Sequence, residues 1–155
     1  MQWEFPAPFT TEVLVTDKVI DELNHTNNAE YVKWCEQVAW LHSHSLGLGV
    51  KDYLALNRAM AIVKAEYQYI QATNLDDELV IGTWLTYCDR RLSCDRAFQI
   101  IRKSDNATVT KGKWQLVCID IKTGKPKRMP KVFVDTYSEV VVIKSIDSAD
   151  VSQMN

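Results

Sequence analysis

Asn27 to Gly49 reads NNAEYVKWCEQVAWLHSHSLGLG, and the architecture follows from it. Apolar residues recur at Tyr31, Trp34, Cys35, Val38 and Leu41, and again at Val32, Ala39 and Leu46, the three-and-four spacing of a helix. Asn27 suits the N-cap and Glu30 the reciprocal partner of a capping box, so the helix starts near Asn28. Gly47 and Gly49 stop it after about five turns. Its apolar stripe is broader than a single seam requires, which predicts a neighbour that wraps it.

Outward from the helix the period changes. After a short irregular stretch, GVKDYLALN, residues Ala59, Ala61, Val63, Ala65, Tyr67 and Tyr69 fall on one face of a strand, with Lys64, Glu66 and Gln68 on the other. Three more strands are expected at Glu78 to Cys88, Leu92 to Lys103 and Thr108 to Ile121, divided by the turn formers CDRR and SDNA. Upstream, Phe9 to Thr16 suits another strand, followed by the polar loop DKVIDELNHTNN. One long helix and a meander of strands make an α+β protein whose antiparallel sheet buries one face on the helix. The chain reads as a single domain over 1–155, with its core at about 9–130. The segment from Lys131 begins apolar, VFVDTY and VVVI, and ends polar, so a flexible tail is expected over about 139–155.

Composition narrows the partners. With 155 residues, 46% apolar and 25% charged, the chain has the balance of a globular domain. A net charge of -2 gives no general attraction to nucleic acid or to an anionic membrane. No apolar run approaches the roughly 18 residues of a membrane span, and MQWEFPAPFTTE lacks the basic start of a signal peptide. Cys35, Cys88, Cys94 and Cys118 show no metal-binding spacing, so no metal is expected. A cytoplasmic location with reduced thiols is expected.

Chemistry concentrates just before the helix. Asp21, His25, Asn24, Asn27 and Asn28 place an acid, an imidazole and three carboxamides in a loop that enters a helix N-terminus. Unpaired N–H groups there polarise a carbonyl and hold the oxyanion formed on attack, and a carboxylate beside them can attack or activate water. The same residues also suit plain capping and turn formation, and residue types alone leave both readings open.

The segment D-x-x-x-H-x-N-N-A-x-Y, carried by Asp21, His25, Asn27, Asn28, Ala29 and Tyr31, resembles the signature of the hotdog-fold thioesterases, the superfamily of 4-hydroxybenzoyl-CoA thioesterase. The resemblance runs from about Thr10 to Pro130. Glu66-Tyr67-Gln68-Tyr69-Ile70 with Asp77-Glu78-Leu79 is similar to the family's second strand and following turn, and Gly124-Lys125-Pro126 with Met129-Pro130 to its closing hairpin.

It implies a hotdog fold, five antiparallel strands around one central helix, and hydrolysis of an acyl-CoA or acyl-carrier-protein (acyl-ACP) thioester. Asp21 would be nucleophile or general base, and the backbone N–H near Asn28 the oxyanion donor. His25 and Asn27 would shape the loop and assist. No cofactor is implied beyond the coenzyme A of the substrate, and the partner is a second copy of the chain, in a homodimer or homotetramer. Two departures stand out: Val19 and Asn24 replace the family's frequent Asp and Gly. A non-catalytic acyl-binding or interaction module is the alternative, and a hydratase-type helix signature is not visible.

Elsewhere, Arg90 and Arg91 suit either solubility or a clamp for coenzyme A phosphates, and Lys122, Lys125, Lys127, Arg128 and Lys131 form a second basic run. Cys35 falls on the helix stripe and reads as core rather than nucleophile. His42 and His44 are expected to be solvated or to complement the helix dipole. Trp34, Trp40, Trp84 and Trp114 could line a pocket, although such aromatics are commonly core.

Overall fold

The computed structural model describes residues 1–144. Strands β1 (Phe9–Leu14), β2 (Arg58–Tyr69), β3 (Glu78–Cys88), β4 (Ser93–Arg102) and β5 (Thr108–Asp120) form one antiparallel sheet in the order β1-β3-β4-β5-β2. Its inner face packs on α1 (Asn28–Ser45), whose Tyr31, Trp34, Cys35, Val38 and Ala39 join Leu79, Ile81, Leu85, Phe98, Ile100 and Trp114 in one core. This is the hotdog arrangement that the resemblance implies.

Local chemistry fixes the helix entry. The Asn27 side chain accepts from the Ala29 N–H at 3.0 Å, as a cap should. The reciprocal half of the expected capping box is absent, because Glu30 turns instead to Lys33 at 3.2 Å.

Three expectations need correction. GVKDYLALN is not irregular: it carries α2 (Val50–Leu56). Asp52 accepts the Gly49 N–H at 2.9 Å, and Tyr53 is buried, which together hold a helix too short to stand alone. The alternation of β2 is broken by a bulge between Ile62 and Lys64. Met60 and Ile62 therefore share the inner face before it and Ala65 and Tyr67 after it, opposite Cys118, Leu116, Trp114 and Gly112 respectively. Packing does not stop at residue 130 either, since α3 (Lys131–Glu139) buries Phe133 and Tyr137 in the core. Beyond it the Val142 N–H bonds to the Leu85 carbonyl at 2.9 Å. The rest of the expected tail, 145–155, lies outside the described residues.

The N-terminal segment covers the outer face of the sheet. The Trp84 indole donates to the Pro6 carbonyl at 2.9 Å, and Gln99 bonds to Gln2 and Glu4. Trp3 lies against Gly82, where a Cβ would sit 2.6 Å from its ring. That cover explains why β3 is buried on both faces. Among the described residues no helix is long and apolar enough to cross a membrane.

Candidate active site at the entry to the central helix

The loop before α1 is a small hairpin. Ile20 bridges Thr26, the Asp21 N–H donates to the His25 carbonyl at 2.8 Å, and the Asn24 N–H to the Asp21 carbonyl at 3.1 Å. Asn24 takes the left-handed conformation, φ 61°. Asn tolerates that region better than most side chains, so it supplies the freedom for which the resemblance would have used Gly.

Asp21 is half-buried at the base of this hairpin. Its Oδ1 accepts from the Leu23 N–H at 2.9 Å and the His25 N–H at 3.2 Å, while Oδ2 has no partner among the described residues. One oxygen thus fixes the carboxylate and the other is free. The Asn27 N–H bonds to the Val19 carbonyl at 2.9 Å, which ties the hairpin to the helix entry. The Asn28 N–H has no partner among the described residues, and the side chains of His25, Asn27 and Asn28 are exposed.

Behind the loop a buried hydroxyl chain holds it in place. Tyr31 Oη lies 2.8 Å from Thr73 Oγ1, which lies 2.6 Å from Thr26 Oγ1, and the Thr26 N–H reaches the Thr73 carbonyl at 3.0 Å. Tyr31 therefore staples the hairpin to the loop ahead of β3.

Asp21, His25, Asn27 and Asn28 come together as expected, but Arg90 and Arg91 do not join them within one chain. β3 starts beside the hairpin and runs 11 residues to their turn, on the order of 30 Å at about 3.4 Å per residue. In that turn Asp89 Oδ1 accepts from the N–H groups of Arg91, Leu92 and Ser93, and Arg90 has φ 64°. The two basic clusters meet there, since the Met129 N–H bonds to the Arg91 carbonyl at 2.8 Å. Cys35 is fully buried and burial, then the Glu36 charge, pushes its thiol up to about 12, so it is core.

His42 overturns the expectation of a solvated imidazole. It is buried, stacks on Phe9 at 5.0 Å and lies 2.9 Å from Arg96 Nη1 through Nδ1. Burial first, then the Arg96 charge, lowers its pKa to about 4, so it is neutral and accepts. Arg96 escaped the sequence reading. A signal was present: on β4 it occupies the alternate position between Cys94 and Phe98, an arginine on an otherwise apolar face.

Arg96 lies on the wall of a cavity of about 260 Å³ between α1 and strands β2, β4 and β5. Trp40, Met60, Ile62, Trp114 and Leu116 form its apolar walls, and Ser43 and Tyr53 add hydroxyls. Of the tryptophans, Trp40 and Trp114 line this space, whereas Trp34 is core and Trp84 faces the outer side. Ala39 in its lining is 11 residues along α1 from Asn28, about 16 Å by helical rise.

A model of the thioesterase-like superfamily matches residues 13–136. No curated protein matches significantly by sequence. Among solved structures, the chain is similar to the hypothetical protein SAV2348 of Staphylococcus aureus, determined in complex with CoA, at TM-score 0.81 and 17% identity, over 96% of this chain and 94% of that one. It is similar to Slr0204, a 1,4-dihydroxy-2-naphthoyl-CoA thioesterase from Synechocystis, at TM-score 0.76 and 15% identity, over 86% and 97%. YbaW, a probable thioesterase from Escherichia coli, is similar at TM-score 0.72 and 24% identity, over 86% and 98%. At these identities the likeness is one of fold.

Proposed function

The chain belongs to the thioesterase-like superfamily, and from that premise we propose that it hydrolyses an acyl-CoA thioester to free acid and thiol, with Asp21 as nucleophile or general base. The observation that carries the proposal is the state of the Asp21 carboxylate. Oδ1 is held by two backbone N–H groups and Oδ2 is free, beside a helix entry whose Asn28 N–H is unpaired among the described residues.

As a nucleophile, Oδ2 adds to the thioester carbonyl, the thiolate leaves, and water hydrolyses the resulting anhydride. As a general base, it takes a proton from the water that attacks. Either way negative charge develops on the carbonyl oxygen, where the Asn28 N–H and the dipole of α1 stabilise it. His25 and Asn27 act through the loop: the His25 N–H holds Asp21, and Asn27 caps the helix.

The CoA bound to one similar structure and the naming of others as CoA thioesterases favour coenzyme A over acyl-carrier protein. The protein acts as a single domain in the cytoplasm and as a homodimer or homotetramer. β2 supports the oligomer, being a 12-residue edge strand with Ile62, Val63 and Tyr69 exposed, an arrangement that invites pairing. Such pairing would build each site from two protomers, and Arg90 and Arg91 of one copy would then serve the phosphates bound at the other.

Asp21 already caps its own loop, which favours a second reading, a binding module without turnover. A panel of short, long and aromatic acyl-CoA substrates, assayed for free thiol and paired with light scattering, separates the two. Hydrolysis of at least one member by a dimer or tetramer is expected. Tight binding without thiol release would leave the module, and a monomer would end the joint site.

A further inference from the structure

Arg96 is 4% exposed, yet no carboxylate lies within ion-pair distance among the described residues. Its Nη1 bonds to His42 Nδ1 at 2.9 Å and to Thr83 Oγ1 at 3.1 Å. A guanidinium carries five N–H donors, and Nε and Nη2 find no partner among the described residues. Nor do the neighbours supply a charge. His42 is neutral, and burial raises the phenols of Tyr53 and Tyr137 and the thiol of Cys94, which keeps them protonated. A buried charge left in this state is costly unless a counter-charge arrives.

The cavity beside it is built for one end of such a counter-charge. Ser43 and Tyr53, whose hydroxyls both bond to that of Tyr137, share the lining with the arginine, and Trp40, Ile62, Trp114 and Leu116 add apolar walls. Glu36, also on the lining but exposed, repels an anion from the outer end and so orients the ligand with its charge inward. At about 260 Å³ the space falls just below the roughly 300–1,000 Å³ of drug-sized pockets, which sets the ligand as small.

We propose that the cavity between the second half of α1 and strands β2, β4 and β5 binds a small carboxylate with an apolar body, its carboxylate paired with the free N–H groups of Arg96. That carboxylate has two sources: the far end of a thioester's acyl group, or a free acid. Only the first rests on the thioesterase reading, and the binding itself stands apart from Asp21.

Binding to the intact protein is measured through calorimetry and the fluorescence of Trp40 and Trp114, with benzoate, phenylacetate and 3-methylbutanoate as probes and their neutral amides as controls. At least one acid is expected to bind about tenfold or more tightly than its amide, the worth of a charge-assisted bond. Arg96→Met should abolish that preference, and Arg96→Lys should keep part of it. Leu116→Phe, which narrows the cavity and leaves the arginine in place, should weaken the acids whether or not Arg96→Met folds.

Equal binding of acids and amides by the wild type, or no binding of either, overturns the proposal without any variant. So does a folded Arg96→Met that retains the preference. Hydrolysis of glutaryl-CoA against pentanoyl-CoA then assigns the source. An Arg96-dependent preference for glutaryl-CoA marks the acyl end, and acid binding without it marks the free acid. If no thioester is hydrolysed at all, the catalytic reading fails while the acid-over-amide preference still supports the site.

Discussion

Before the N-terminus of α1 a carboxylate, Asp21, is half-buried with two backbone N–H groups on one oxygen and no partner on the other among the described residues. Near the C-terminal end of the same helix a guanidinium, Arg96, is buried among neutral acceptors, with only one of its three nitrogens bonded among the described residues. Both are charged groups on an apolar scaffold, but the first is held by backbone donors, whereas the second has no carboxylate within ion-pair distance among the described residues. Backbone donors that satisfy a charge also restrain it, which is what a reacting group needs. A charge left unpaired in a cavity is instead poised to recognise something from outside.

The largest expected effect breaks the comparison at the Asp21 end. Asp21→Asn keeps an oxygen for the Leu23 and His25 N–H groups, so the fold should survive, while kcat falls by about a hundredfold or more, roughly 2.7 kcal/mol of barrier. Thiol release at matched folded fraction, read by circular dichroism, checks it. Near-wild-type turnover would reduce Asp21 to a loop cap.

A smaller effect sharpens the Arg96 end. His42 titrates at about 4 when folded against 6.5 for the free imidazole, so between those values the unfolded chain binds more protons. Stability must therefore fall as pH drops from about 6.5 toward 4, and be indifferent to His42 above that window. His42→Gln, whose carbonyl can still accept from Arg96, should lose less on the same descent. Melting temperatures at several pH values test this, and identical slopes for the two proteins would mean that His42 is not held neutral.

Third in size is the turn between β3 and β4. Arg90→Ala with Arg91→Ala should raise KM for acyl-CoA by about threefold with kcat unchanged, if exposed charges from a partner protomer meet the phosphates. Added salt should weaken the wild type in the same sense. An unchanged KM returns the pair to solubility.

The smallest change is Glu30→Gln, which touches only the exposed pair with Lys33 and should cost about 0.5 kcal/mol or less, with kcat intact. A larger loss in chemical denaturation would show that Glu30 supports the helix entry in some further way.

Much of the first region was legible in the chain. The Asn27 cap, the helix from Asn28 and the grouping of Asp21, His25, Asn27 and Asn28 are contacts between residues a few positions apart, so residue type and spacing suffice to find them. The second region was not. His42 looked like a terminal cation and becomes a buried acceptor only because β4, 54 residues away in sequence, brings Arg96 against it. Nothing near Tyr137 announces that it will meet Ser43 at 2.7 Å, 94 positions earlier.

What the amino-acid order determined by itself is therefore the set of elements and the loop that carries Asp21, because periodicity, caps and turns act over a few residues. Only the tertiary structure decided which polar groups would lose water. The bulge that turned Met60 and Ile62 inward, the docking of α3, and the arm that covers Trp84 all depend on surfaces that meet from distant parts of the chain. Burial is a property of the assembled fold, and it is burial that makes a neutral histidine of His42 and a costly cation of Arg96, which has no carboxylate partner among the described residues.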